Sequence, residues 1–212
     1  MNRKHILKAA RKLGFLKDQD GIIKRYINEE GAWNHHLIKC KNYIVKSAQK
    51  KSKHQCAVLG SGWLLDTPIE FLSNNFNDVY FFDINHPEQI KNKLKKFPNI
   101  YWIEEDLTGG LILKVYNEKK LLISDKTKWL NNLKLNNKFL YADFDYVISL
   151  NILNQLDILI IDFIKKLKAL TDQEISLIRK LIQDNHLNSL PVGKTCLITD
   201  AEELSITEKI DW

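Results

Sequence analysis

Val58-Leu59-Gly60-Ser61-Gly62-Trp63 carries an apolar run into a Gly-x-Gly turn. Glycine at both positions lets the backbone pass close to a ligand, because no Cβ intrudes and unusual dihedrals are accessible. Asp83 follows Gly62 by twenty-one residues and ends a second apolar run, Val79-Tyr80-Phe81-Phe82. A carboxylate at that separation can accept hydrogen bonds from both hydroxyls of a ribose. Each feature alone has an ordinary structural reading, a tight turn for the glycines and a helix cap for Asp83. In this order and spacing they point together to a nucleoside site.

The kind of nucleoside follows from what surrounds the turn. A dinucleotide fingerprint places a third glycine at residue 65, and this chain has Leu65. A bulky residue there opposes the close approach of a helix N-terminus to a pyrophosphate. The phosphate-cradling pattern Gly-x4-Gly-Lys-Ser/Thr is also absent from the sequence. A ribose acceptor without pyrophosphate machinery suits a nucleoside whose tail carries no phosphate, and S-adenosylmethionine fits. A nicotinamide-dependent oxidoreductase is the weaker alternative, since no second nucleotide-binding half is present.

These residues need strands to end beside them. Five short apolar runs read as strands: 55–59, 78–82, 100–103, 146–150 and 195–199. Continuous apolar runs of this length suit strands buried on both faces. Between them, helical periodicity marks 67–74, 87–97, 152–170 and 172–184. Pro68 sits early in the first of these, where its missing N–H costs nothing. Upstream, Ile6, Leu7, Ala10, Leu13 and Leu16 recur at helical spacing, with Gly14 and Gly21 as punctuation. A further helix is expected over 33–50, where Trp33, Leu37, Cys40, Ile44 and Ala48 share one face. Residues 107–143 are the least legible, with Gly109-Gly110, an apolar patch at 111–115 and an Asn/Lys-rich run, and suit a helical excursion or a hairpin. The alternation predicts an α/β fold: a Rossmann-like, doubly wound, mostly parallel sheet. Residues 1–52 are expected as an N-terminal helical extension packed on a nucleoside-binding domain of 53–212.

Residues 55–200 resemble class I S-adenosylmethionine-dependent methyltransferases. The blocks that carry the resemblance are VLGSG at 58–62, VYFFD at 79–83, IEEDLTG at 103–109, DYVISLNILNQL at 145–156 and CLITD at 196–200. The upstream AWNHHLIKCKNYI at 32–44 is similar to the helix before the first strand in bacterial methyltransferase-like proteins. The resemblance implies that Gly60, Ser61 and Gly62 run beneath the cofactor's amino-acid moiety and ribose, with Trp63 against the pocket. It implies that Asp83 binds the ribose hydroxyls and that Ile84 packs on the adenine. Asp106 would accept from the adenine amino group, with Leu107 facing the ring. Ser149, Leu150 and Asn151 would line the methionine end, Gln155 would reach the substrate side, and Asp66 would lie near the cofactor's ammonium. The chain departs from the family pattern at Val58, where an acidic residue is usual, and at Leu64, where a third glycine is usual. The family's closing antiparallel hairpin is expected to be missing, because twelve residues follow Asp200. The implied activity is methyl transfer to an unnamed acceptor, a small molecule, a protein or an RNA. A non-catalytic module of the same fold, binding S-adenosylmethionine or S-adenosylhomocysteine, is the alternative.

Other residue types narrow the chemistry less. His35, His36 and His186 are candidates to face a methyl acceptor as base or donor, although each suits a surface or capping role. His86 lies close behind Asp83. Trp33, Trp63, Trp102 and Trp129 could form an aromatic cage, with Trp102 better suited to a core. Cys40, Cys56 and Cys196 are too few and too scattered for a disulfide framework, and no pair of cysteines or of histidines has metal-ligand spacing, so no metal site is expected.

Composition sets the outer bounds. Apolar residues at 44% and charged residues at 27% are globular values and exclude a disordered chain. No uninterrupted apolar run approaches the ~18 residues of a membrane span. The N-terminus opens on a charged amphipathic stretch rather than a signal sequence, so a cytoplasmic protein is expected. The net charge of +6 comes from 28 lysines and 4 arginines spread along the chain, which reads as a solvated surface rather than a nucleic-acid stripe.

Overall fold

The strands form where β-branched and aromatic residues can be buried on both sides. The computed structural model describes residues 3–49, 51–136 and 141–200. Three helices come first: α1 (Arg3–Leu13), α2 (Phe15–Asn28) and α3 (Asn34–Ala48). Then follow β1 (Gln55–Leu59), α4 (Ile69–Asn75), β2 (Asp78–Asp83), α5 (Glu88–Leu94) and β3 (Ile100–Glu104). The chain continues through α6 (Leu111–Ser124), α7 (Lys126–Asn131), β4 (Tyr146–Leu150), α8 (Ile158–Leu167), α9 (Asp172–Ser189) and β5 (Thr195–Ile198). The strands make one sheet in the order β3-β2-β1-β4-β5, with every pair parallel. The order reverses between β1 and β4, and the loops leaving the two strands diverge there. In open parallel sheets such a reversal leaves a crevice at the carboxyl ends.

Alternation along β1 shows why its run is continuously apolar. Cys56 and Val58 join a core with α3, α4 and α5, whereas Ala57 and Leu59 face the opposite side with Phe82, Tyr141 and Val147. A third core lies among helices, where Ala9, Ala10 and Leu13 of α1 pack with Leu111, Ile112 and Val115 of α6 and with Ile160, Ile161 and Ile164 of α8. The helices before β1 therefore share cores with the rest of the chain. Ion pairs reinforce this: Glu104 at the end of β3 meets Arg3 of α1 and, at 3.0 Å, Lys91 of α5.

Several elements differ from the sequence expectation. Gly21 lies inside α2, and only Gly14, at φ 101°, breaks the first helical stretch. The helix expected over 152–170 starts later, at Ile158, because residues 152–157 turn first, with Gln155 and Leu156 N–H donating to the Ile152 carbonyl. Asn151, at φ 50°, begins that turn in a conformation few residues other than glycine adopt. Helix α9 runs on past 184 because Asn185 and His186 are themselves buried. The illegible segment contains two helices, α6 and α7. The expected mostly parallel sheet is parallel throughout among the described residues. The expected absence of a final hairpin concerns residues 201–212, which lie outside those described. No helix among the described residues is long and apolar enough to cross a membrane.

The contact of α1 with α6 depends on small side chains, since Ala9 and Ala10 are wholly buried there. Ala10→Leu should overpack it and cost about 1–3 kcal/mol. A shift in the denaturant midpoint, compared with the exposed-site control Lys12→Ala, measures this; an unchanged midpoint would show that α1 does not need close packing.

Candidate functional site

The loops leaving β1, β2 and β4 surround a cleft of about 870 Å³. That volume suits a ligand of cofactor size. Helices α2 and α3 form its other wall, through residues that include Gln19 and His36. Polar bonds hold α2 in place. Trp63 Nε1 donates to the Gln19 backbone carbonyl at 2.7 Å; Gln19 Nε2 donates to the Asn85 backbone carbonyl, and Asn85 Nδ2 donates to Gln19 Oε1, both at 2.9 Å. One buried glutamine thus ties α2 to both the glycine turn and the loop after β2. Nothing in the sequence signals this, because a lone Gln19 in an amphipathic helix carries no recognisable pattern.

Of the residues singled out in the sequence, Gly60, Ser61, Gly62, Trp63, Asp83, Ile84, Leu107, Leu150 and Asn151 all line the cleft, as do Asp66 and Gln155. Asp83 stands across from the glycine turn. Its Oδ2 accepts the Gly62 N–H at 2.8 Å, and its Oδ1 takes a long 3.5 Å contact from the Asn85 N–H. Burial pushes the Asp83 carboxyl up to about 6, while the backbone donors of Gly62, Asn85 and Ile84 oppose the rise. One carboxylate oxygen therefore positions the turn and the other keeps acceptor capacity for a ligand. The two glycines have different reasons. A Cβ on Gly60 (φ 80°) would come within 2.8 Å of Ile152 Cβ and 3.0 Å of the Leu150 carbonyl, so the protein's own chain requires that glycine. Only at Gly62, where a Cβ would come no closer than 3.8 Å to Asp83 Oδ2, does the missing side chain leave room.

Asp106 and Ser149 do not line the cleft. Asp106 is buried in the turn before α6, where its Oδ1 accepts from Thr108 N–H at 2.9 Å and Thr108 Oγ1 at 2.5 Å. Burial raises its pKa to about 6. Ser149 is wholly buried and bonds His186 Nε2 at 2.8 Å. His186 is therefore a strut between β4 and α9 and not a group facing an acceptor. His86 is its counterpart at the turn, with Nε2 2.9 Å from Ser61 Oγ. Burial lowers both imidazoles to about 4, so both are neutral near pH 7. Of the adjacent pair on α3, His36 lines the cleft and His35 does not.

The tryptophans do not form a cage. Trp33 and Trp63 line the cleft, Trp102 packs against the sheet core, and Trp129 is buried among the helices. The family departures also have local causes. Val58 is wholly buried among apolar side chains, where an acid would be unpaired. Leu64 sits at φ 56° where a glycine would be relaxed, and its side chain fills the same core.

A grouping that the sequence analysis passed over lies at one end of the cleft. His36 Nε2 and Cys40 Sγ, one turn apart on α3, are 3.4 Å from each other. Asn151 Nδ2 donates to Asp66 Oδ2 at 2.8 Å and lies 3.4 Å from the same His36 nitrogen. Burial raises the Asp66 carboxyl, and burial followed by the Asp66 charge raises the Cys40 thiol. His36 and Cys40 are a mixed pair four residues apart, a spacing that neither the cysteines nor the histidines show among themselves.

The cleft's charge is opposite to that of the whole chain. Among the described residues, Asp18, Asp66, Asp83, Glu105 and Asp200 line it, against the single guanidinium of Arg25. Comparison of the chain with protein-family models, curated proteins and solved structures finds no match.

The His186 strut has a measurable pH signature. A histidine held at about 4 when folded, against 6.5 ordinarily, takes up its proton in the unfolded chain first. Stability is thus lost as pH falls from about 6.5 to about 4. His186→Gln should be less stable than wild type at pH 7, and the gap should narrow by on the order of 3 kcal/mol by pH 4. Denaturant unfolding at both pH values measures the gap; a gap independent of pH would contradict a buried neutral imidazole.

Proposed function

We propose that this chain is a Rossmann-like methyltransferase that binds S-adenosylmethionine in the cleft. The observation that carries the reading is the set of cleft carboxylates around Asp83, beside a turn whose Gly62 leaves open space. Such a cleft favours a nucleoside with a cationic tail, and it opposes the pyrophosphate of a nicotinamide dinucleotide by like-charge repulsion. The same charge disfavours threading a nucleic-acid backbone through the cleft, leaving a small molecule or a protein side chain as the better acceptor.

The residues fit the group. The Asp83 Oδ1 has acceptor capacity for a ribose diol, and the partly buried Ile84 and Leu107 offer apolar surface for an adenine ring. Asp106 lies outside the cleft lining, its Oδ1 held by Thr108, so adenine recognition in this reading rests on packing and backbone groups rather than on that carboxylate. When bound, S-adenosylmethionine supplies an activated methyl group on a positively charged sulfur. The protein's part is to orient donor and acceptor in line and to exclude water. Helix α2, pinned by Gln19 over the turn, covers that side of the cleft.

Calorimetric titration tests the reading. S-adenosylmethionine and S-adenosylhomocysteine should bind and NAD should not. Asp83→Ala removes charged hydrogen bonds worth about 2 kcal/mol or more, so affinity should fall by at least roughly 30-fold. Unchanged affinity would remove Asp83 from the site. A labelled-methyl assay against cell extract then separates a methyltransferase from a module that only binds.

The same carboxylate sets a pH dependence. The diol needs the ionised form, which is lost as pH falls through about 6. Affinity for S-adenosylhomocysteine should weaken about tenfold for each unit below that value. A profile flat between pH 7 and 5 would mean that Asp83 does not touch the ligand.

A further inference from the structure

We propose that His36, Cys40 and Asp66 form a binding site for a zinc-like divalent transition-metal ion at the end of the cleft. One ligand atom from each, an imidazole nitrogen, a thiolate sulfur and a carboxylate oxygen, lies within 4.8 Å of the other two. Tetrahedral zinc, with bonds of about 2.0–2.1 Å to nitrogen and about 2.3 Å to sulfur, separates those two donors by roughly 3.6 Å. The His36 Nε2 to Cys40 Sγ separation of 3.4 Å nearly matches that edge. The pair stands on consecutive turns of α3, so the helix itself fixes the spacing. Asp66 comes from the loop after β1 and meets them from the other wall, held by Asn151.

The donor set selects the ion. Nitrogen and sulfur beside a single carboxylate suit zinc or cobalt(II), whereas magnesium and calcium prefer all-oxygen shells. Three protein ligands leave one position of a tetrahedron open, the pattern of sites that bind water or substrate rather than of closed structural sites. His36, Asp66 and Asn151 all line the cleft, so the open position adjoins the ligand space. The buried Asn151 Oδ1 has no hydrogen-bond partner among the described residues and lies beside the cluster, where a metal-bound water could donate to it. Asn151 holds a φ of 50° to stand at this point, a cost consistent with a residue placed for contact. Without an ion, the half-buried Asp66 carboxyl rests on the Asn151 amide, and the buried Cys40 thiol rests on His36 and the same amide.

The inference does not depend on nucleoside binding, and its test uses a different ligand. Purified protein is stripped with a chelator, dialysed and titrated with zinc and with cobalt(II), with magnesium as a control. Zinc should bind at one ion per chain, and magnesium should not compete. The cobalt form should show a thiolate charge-transfer band in the near ultraviolet and the visible bands of four-coordinate cobalt. Cys40→Ser should abolish the charge-transfer band. His36→Ala and Asp66→Asn should each weaken zinc binding at least about 100-fold. His36 is exposed, so its variant tests the site even where Cys40→Ser fails to fold. Circular dichroism of each stripped variant checks folding. Absence of stoichiometric zinc, or full binding and an intact band in His36→Ala, would overturn the site.

Discussion

A parallel sheet covered on both faces can gather polar groups only at the ends of its strands, and this constraint governs the molecule. Cys56 and Val58 point into one core, Ala57 and Leu59 into another, so β1 has no exposed face on which to carry chemistry. The chain becomes polar where β1 gives way to Gly60, β2 to Asp83 and β4 to Asn151. Those three points stand side by side because β1 lies between β2 and β4. The bond from Gly62 N–H to Asp83 Oδ2 then locks two of them into one surface. The cleft is thus a consequence of strand order, with the side chains at its rim adding the specificity.

The strands and the rim were legible in the sequence for the same reason. Burial on both sides writes a run such as Cys56–Leu59 as unbroken apolar residues, and the first polar or glycine residue after it marks the strand end. Residues whose role comes from distant contacts left no such mark. Asp106 and Ser149 occupy positions that suit ligand contact in a strand-end pattern, yet a local turn claims one and a buried imidazole the other. Gln19 acts only through Trp63 and Asn85, far away in sequence. The start of α8 was misplaced because residues 152–157 keep an apolar content while turning along the cleft. The segment before β4 was obscured by lysines and asparagines that give the exposed sides of α6 and α7 little contrast with a loop.

Charge separates the surface from the site. Spread over the chain, 28 lysines make a basic protein, yet among the described residues the cleft walls hold five carboxylates and one arginine. Three of the acids, Asp66, Asp83 and Glu105, are raised chiefly by burial, which shows that the fold keeps them at a cost. A cation in the cleft relieves that cost. Both a cationic cofactor tail in the cleft and a metal ion at Asp66 would do so.

The histidines make the same argument from the other direction. His86 and His186 are buried, neutral and each satisfied at Nε2 by one serine, so the fold uses them as rigid polar props behind the strand ends. Neither has access to the cleft. His36 is exposed at the rim, with its Nε2 beside the Cys40 thiol and the Asn151 amide nitrogen. Of these three imidazoles, the one left outside the core is the one that stands with two further ligand atoms, from Cys40 and Asp66, within 4.8 Å.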